Sequence, residues 1–245
     1  MAYGSINARF ASMKRKYACC LALFLVLAQT VPAQTSEYLN GIKEALQKKW
    51  PNNKTINLVF HGHSVPSGYF KTPEVRTLDA YPYLVLQKLK EQYPYAVINV
   101  IVTAIGGEHS TQGEKCFKSD VLNHKPDVLF IDYALNDRKL GLAQSRQNMV
   151  KMIKQALKKK IKVILLTPSA DQNVDLLQPG NELELFATQL RELAEAYHVG
   201  LADSYKQFKH VLEEKKDLSV YMAQSNHPNR AGHELIAAEI MKYFQ

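Results

Sequence analysis

From Thr55 onward the chain predicts an α/β fold, a three-layer α/β/α sandwich around a five-stranded parallel sheet. Three observations carry this. Short β-rich runs alternate with longer stretches of helical period, the pattern that builds a parallel sheet covered on both faces. Nearly all the runs are continuously apolar, as buried parallel strands are. The 245 residues, 46% apolar and 22% charged, allow one sizeable core and exclude both a disordered chain and one wholly embedded in a membrane.

In chain order, a leading helix is expected within Gln34 to Asn53. The strands read as Ile56 to Phe60, Val97 to Val102, Val128 to Tyr133, Val163 to Thr167 and Val199 to Ala202. Between them, three sets of apolar residues at helical spacing each mark one buried face: Tyr81, Leu84, Val85 and Leu89; Val150, Ile153 and Leu157; Phe186, Leu190, Leu193 and Tyr197. A last helix carrying Ile236, Ile240 and Phe244 follows Asn229, whose side chain can cap it. Lys158, Lys159 and Lys160 read as the cationic end of a helix, so no nucleic-acid partner is expected from them.

Ahead of this domain, Lys14, Arg15 and Lys16 precede an apolar run from Tyr17 to Ala28, and Val31-Pro32-Ala33 offers a small-residue cleavage site. That is the layout of a secretory signal peptide over 1–33, with translation starting at Met1 or Met13. The run is shorter than the roughly 20 residues of a bilayer span, so export without stable membrane insertion is expected, to a secreted or periplasmic location. A single domain, 34–245, would remain. The net charge of +8 falls to +4 once Arg9, Lys14, Arg15 and Lys16 are removed, leaving 27 basic against 23 acidic residues. Only Cys116 survives cleavage, which excludes an internal disulfide and reads as an inert thiol.

Sites in open parallel sheets form beyond the carboxyl ends of the strands. Strand one is followed by His61-Gly62-His63-Ser64-Val65-Pro66-Ser67-Gly68 and strand two by Ala104-Ile105-Gly106-Gly107-Glu108-His109-Ser110. Strand three is followed by Ala134-Leu135-Asn136-Asp137, and Gln224-Ser225-Asn226-His227-Pro228-Asn229 precedes the last helix. Acyl transfer needs a nucleophile, a base for its proton and neutral donors for the developing oxyanion. Ser64, His227, and the Gly107 N–H with the Asn136 amide are candidates for those parts.

In order and spacing these segments resemble the SGNH (GDSL-type) hydrolases, whose Ser, Gly, Asn and His blocks lie along a flavodoxin-like sheet. Gly62-His63-Ser64 with Gly68 matches the first block, Gly107 the second, Ala134-Leu135-Asn136-Asp137 the third and His227-Pro228 the last. The resemblance implies Ser64 as nucleophile, Gly107 and Asn136 as oxyanion donors, His227 as general base, and serine ester hydrolysis with no metal or other cofactor. Three positions depart from the pattern: His63 replaces Asp, Ala134 replaces Gly, and Gln224 stands where the acid that orients the histidine belongs. In a serine protease an amide at that position costs about 10⁴ in rate. Three accounts follow: a Ser64–His227 dyad oriented by Gln224 or a backbone carbonyl, an acid recruited from elsewhere (Glu108, Asp137, Asp171 or Asp203), or lost activity.

Two other readings stand beside the esterase. His61 and His63, two residues apart in one extended segment, could co-ligate a metal with His227, His233, Asp132 or Asp137. A secreted carbohydrate-binding protein could use an inactive hydrolase scaffold. For the esterase, export and the resemblance make an acylated, above all acetylated, carbohydrate the expected substrate, with lipid-type esters second. The segment Tyr69 to Tyr81 is long for a βα loop and is expected to shape the pocket through Tyr69, Phe70 and Arg76. His63 is expected to bond a neighbouring loop, and His233 to sit on the surface or pack in the last helix.

Overall fold

A computed structural model describes Met1 and residues 37–245; the expected leader otherwise lies outside the described residues. Helix α1 (Asn40–Gln47) leads to β1 (Thr55–Gly62), the short turn α2 (Ser64–Ser67), α3 (Tyr81–Gln92) and β2 (Val97–Val102). Next come α4 (Ser110–Asp120), β3 (Val128–Asp132), the short α5 (Ala134–Asp137), α6 (Leu142–Lys158) and β4 (Lys162–Leu166). The chain closes with α7 (Glu182–Tyr197), β5 (Gly200–Ala202), α8 (Ser204–Glu213), the hairpin strands β6 (Met222–Gln224) and β7 (His227–Pro228), and α9 (Arg230–Met241).

The five strands pair in parallel in the order β2-β1-β3-β4-β5. This is the flavodoxin-like order, in which the chain reverses its direction of travel at β1 and β3 and opens a crevice above their carboxyl ends. Alternation along β1 sends Leu58 and Phe60 to one face and Val59 to the other. The first face packs against α3, α8 and α9 through Tyr81, Phe208, Ile236 and Ile240, and Phe60 stacks on Phe130 with centroids 4.3 Å apart. The second packs against α4, α6 and α7 through Phe117, Met152, Ile153, Leu190 and Leu193.

Every strand end agrees with the sequence expectation to within two residues. Three details differ. At the sheet edge β2 is not buried on both faces, and Val97 is 47% exposed. The buried stripe of α6 is Met149, Met152, Ile153 and Ala156, which leaves Leu157 outside the core and Val150 at its margin. Helices α4 and α8 and the β6–β7 hairpin have no counterpart in the sequence reading; α4 has only Phe117 as a large buried residue and so little amphipathic signal. Lys158 and Lys159 do end α6, and Asn229 Oδ1 caps α9 by accepting from Gly232 N–H at 3.2 Å. Among the described residues no helix is long and apolar enough to cross a membrane.

His233 packs in the core, not on the surface. Its Nδ1 accepts from the Tyr81 N–H at 3.2 Å at the start of α3, and burial drives its pKa down to about 3. The unfolded imidazole takes up a proton near 6.5 and the folded one only near 3, so between those values the unfolded chain binds more protons. Stability is therefore expected to fall as the pH drops from 6.5. His233→Asn, whose Oδ1 can accept the same bond without titrating, should flatten that slope in denaturant unfolding at pH 7, 5.5 and 4. Equal slopes in the two proteins would contradict a buried neutral His233.

Candidate active site

The order β2-β1-β3 sets the segment after β1 between those after β2 and β3, so the Ser64, Gly107 and Asn136 segments adjoin by topology alone. Local bonds tie them together. The Ile105 N–H donates to the Gly62 carbonyl at 3.1 Å, and Ser67 Oγ donates to the Ala104 carbonyl at 2.7 Å. From the other side the Asn136 amide donates to the Glu108 carbonyl at 2.7 Å, which holds the Gly107 segment against α5. Gly107 has φ of 82°, a backbone state that L side chains rarely adopt.

Ser64 opens α2 directly beyond β1 and is buried. His63 caps this turn: its Nδ1 accepts from the Val65 N–H at 3.2 Å, which places the ring proton on Nε2, 3.3 Å from Asp132 Oδ1. Tyr81 OH donates to Asp132 Oδ2 at 3.0 Å. His63 thus bonds within its own turn and faces a carboxylate at the end of β3, with no exposed loop involved.

His227 lies on β7 and reaches the same crevice. Its Nε2 is 2.9 Å from Ser64 Oγ and its Nδ1 is 3.2 Å from the Phe70 carbonyl oxygen. A carbonyl can only accept, so Nδ1 carries the proton and the Nε2 lone pair faces the serine hydroxyl. Burial lowers the His227 pKa, the Phe70 carbonyl acts in the opposite sense, and nearby His63 lowers it further.

Gln224 is not the residue that bonds the imidazole. It pairs with His227 across the β6–β7 hairpin, but its amide oxygen accepts from Thr72 N–H at 3.0 Å and Thr72 Oγ at 3.3 Å. Nor does any carboxylate contact His227 among the described residues. Asp137 accepts from Ser110 N–H and Ser145 Oγ, Asp171 pairs with Arg138 at 2.7 Å, and Asp203 pairs with Arg191 at 2.8 Å. Glu108 contributes its backbone carbonyl to Asn136.

The two candidate metal histidines do not converge. Both His61 nitrogens are engaged, by Thr103 Oγ at 2.8 Å on one side and by the Gly113 carbonyl and Tyr133 OH at 3.1 Å on the other. Among the described residues no group of three or more His, Cys, Asp or Glu side chains forms a metal-binding set.

A model of the GDSL-like lipase/acylhydrolase family matches residues 60–235, more than half of the sequence and all four segments. The chain belongs to that family. It is an SGNH-type carboxylic ester hydrolase. No curated protein matches this SGNH chain. Among solved structures it is similar to a two-domain esterase active on acetylated mannans, with a TM-score of 0.70 and 20% identity over 84% of this chain and 52% of that one. The same esterase co-crystallised with mannopentaose gives 0.70 and 19% over 88% and 57%. The SGNH chain thus spans about half the length of that two-domain protein. A catalytic mutant of Axe2, an acetylxylan esterase from Geobacillus stearothermophilus, gives 0.67 and 20% over 77% and 94%. At these identities the likeness is one of fold.

The sequence reading allowed a backbone carbonyl as the orienter of His227 but did not single out that of Phe70, because every residue has one and none leaves a signature. It also missed a cleft of about 310 Å³ beside Asn136, lined by Leu135, Arg138, Lys139, Glu182 and Asn226. The loop expected to shape the pocket places Tyr69 near His227: its ring lies 6.0 Å from the imidazole and fills the space where a Cβ on Gly106 would sit. Nitrogen-15 NMR of the imidazole should show the Nδ1–H form of His227 and a titration midpoint below 6.5. A dominant Nε2–H form, or a midpoint above 6.5, would contradict this arrangement.

Proposed function

We propose that the chain is an exported carbohydrate O-acetylesterase in which Ser64 attacks the acyl carbonyl and His227 serves as general base. The observation that carries this is the 2.9 Å contact between Ser64 Oγ and an unprotonated His227 Nε2. As the bond from Oγ to the acyl carbon forms, the hydroxyl proton passes to Nε2. The carbonyl oxygen becomes an oxyanion, for which the Ser64 and Gly107 N–H groups and the second hydrogen of the Asn136 amide are the donors. The imidazolium Nε2–H then protonates the sugar oxygen as the carbon–oxygen bond breaks, leaving acyl-Ser64. Water, deprotonated by His227, releases the acid and restores the serine.

Several features support a carbohydrate substrate. Tyr69, 36% exposed and with its ring tip against Gly106, offers an aromatic side chain of the kind that packs on sugar C–H groups. Beside the oxyanion donors, Arg138, Lys139, Glu182 and Asn226 provide donors and acceptors for hydroxyls. The similar structures include esterases of acetylated mannans and acetylxylan. Residues 1–33 act in this reading as the export signal and 34–245 as the mature hydrolase domain.

Acetyl release from acetylated mannan and xylan, compared with long-chain lipid esters, is the primary assay. Turnover confined to long-chain esters would replace the carbohydrate reading with a lipid one. Ser64→Ala should abolish turnover and organophosphonate labelling while leaving the melting temperature nearly unchanged; sugar binding with no wild-type turnover would indicate a binding module instead. Asn136→Ala should lower kcat by roughly 10² to 10³, the usual value of one oxyanion donor, with a smaller change in KM. An effect confined to KM would move Asn136 to substrate binding.

A further inference from the structure

We infer that Gln224 is a positioning residue for His227, acting through the loop 69–76 and not by direct contact. The inference rests on the Ser64–His227 esterase reading above, and it accounts for an amide where the family pattern has an acid. The orienting partner of His227 is the Phe70 carbonyl, and a carbonyl is only as well placed as the loop that bears it. That loop is closed on itself. Phe70 N–H donates to the Glu74 carbonyl at 3.0 Å, Arg76 N–H donates to the Gly68 carbonyl at 2.7 Å, and the Arg76 guanidinium lies 3.7 Å from the Phe70 ring centroid. Residues 71–78 are nevertheless exposed, so these bonds set the loop's shape more than its distance from the histidine.

Gln224 supplies a constraint beyond the Tyr69 N–H bond to the Ser64 carbonyl at 3.1 Å. Its Oε1 accepts both Thr72 donors, two residues beyond Phe70, and its backbone pairs with His227 across the hairpin. One residue therefore grips the acceptor's loop at one end and the base's strand at the other. The hairpin is itself anchored, since Ser225 O accepts from Gln172 N–H at 2.7 Å. An aspartate at 224 would be one carbon shorter, whereas the length and neutrality of glutamine suit a reach to Thr72. The titratable groups near His227 are His63, on the nucleophile turn, and His233, in α9, while the Ser64 hydroxyl bonds its Nε2. Tyr69 contacts it through the ring.

The test compares Gln224→Leu, which removes the acceptor at similar volume, with Gln224→Glu, which keeps it. Gln224→Leu should lower kcat on an acetyl ester about tenfold with little change in KM. It should also move the His227 midpoint to lower pH, because losing the Phe70 carbonyl removes the group that favours the imidazolium. Gln224→Glu should retain kcat within about threefold and hold or raise the midpoint. A merely structural role would reduce the folded fraction without moving the titration. The inference is overturned if the midpoint in folded Gln224→Leu equals that of the wild type, or if Gln224→Glu loses as much activity as the leucine variant. Because imidazole NMR reads the midpoint without turnover, a midpoint shift in a wild-type background inactive on every ester would uphold the clamp and reject the esterase reading.

Discussion

An imidazole between two neighbours can serve as a base only when the proton it already holds is kept on the far nitrogen. For His227 that task falls to the Phe70 carbonyl, which has no proton to offer and can only receive one. The Nε2 lone pair is thereby committed to Ser64. What the carbonyl does not bring is a negative charge, so in the proposed mechanism the imidazolium would be supported by a dipole where a carboxylate would supply a full charge. The burial of His227 and the nearby His63 bias the ring further toward neutrality. A base held neutral stays available in mildly acidic surroundings, at the cost of being a weaker proton acceptor.

The acid absent from the histidine's side has a counterpart beneath the Ser64 turn. Asp132, buried at the end of β3, receives the Tyr81 hydroxyl and faces the Nε2 edge of His63, whose other nitrogen caps the Ser64 turn. A carboxylate there is tolerable because Tyr81 OH donates to Oδ2 and the His63 ring, 3.3 Å from Oδ1, faces the other oxygen. The turn is thus braced from below by a polar network and from the side by Ser67 and Ala104. His63, in the position where the family pattern has an acid, and Asp132, on the neighbouring strand, form one interacting pair.

How much of this was legible in the sequence follows from what kind of group carries each part. Strands β1 to β5 were legible because five apolar runs with β-rich composition have no other use in a chain of this length. The Ser64, Gly107, Asn136 and His227 segments were legible because their order and spacing, three beyond strand ends and one before the last helix, match a family pattern that no one of the residues carries alone. Helix α4 was not, since its Gly113 and its charges blur the helical period. A backbone carbonyl as partner of His227 was one of the open readings, but which carbonyl was illegible, because that depends on where a loop of unremarkable composition folds back. Gln224 was legible as a departure, but its actual bonds, to Thr72, span 152 positions that no local pattern connects.

The loop 69–76 carries Tyr69 on one residue and the acceptor for His227 on the next. A side-chain acid could orient the imidazole from a separate piece of chain, and the two parts could then vary alone. Here they are neighbours in one small mechanical part. On the proposed mechanism, any drift in this loop that adapts the chain to a new ester must also carry the support of His227 along, so ligand preference and turnover would diversify together.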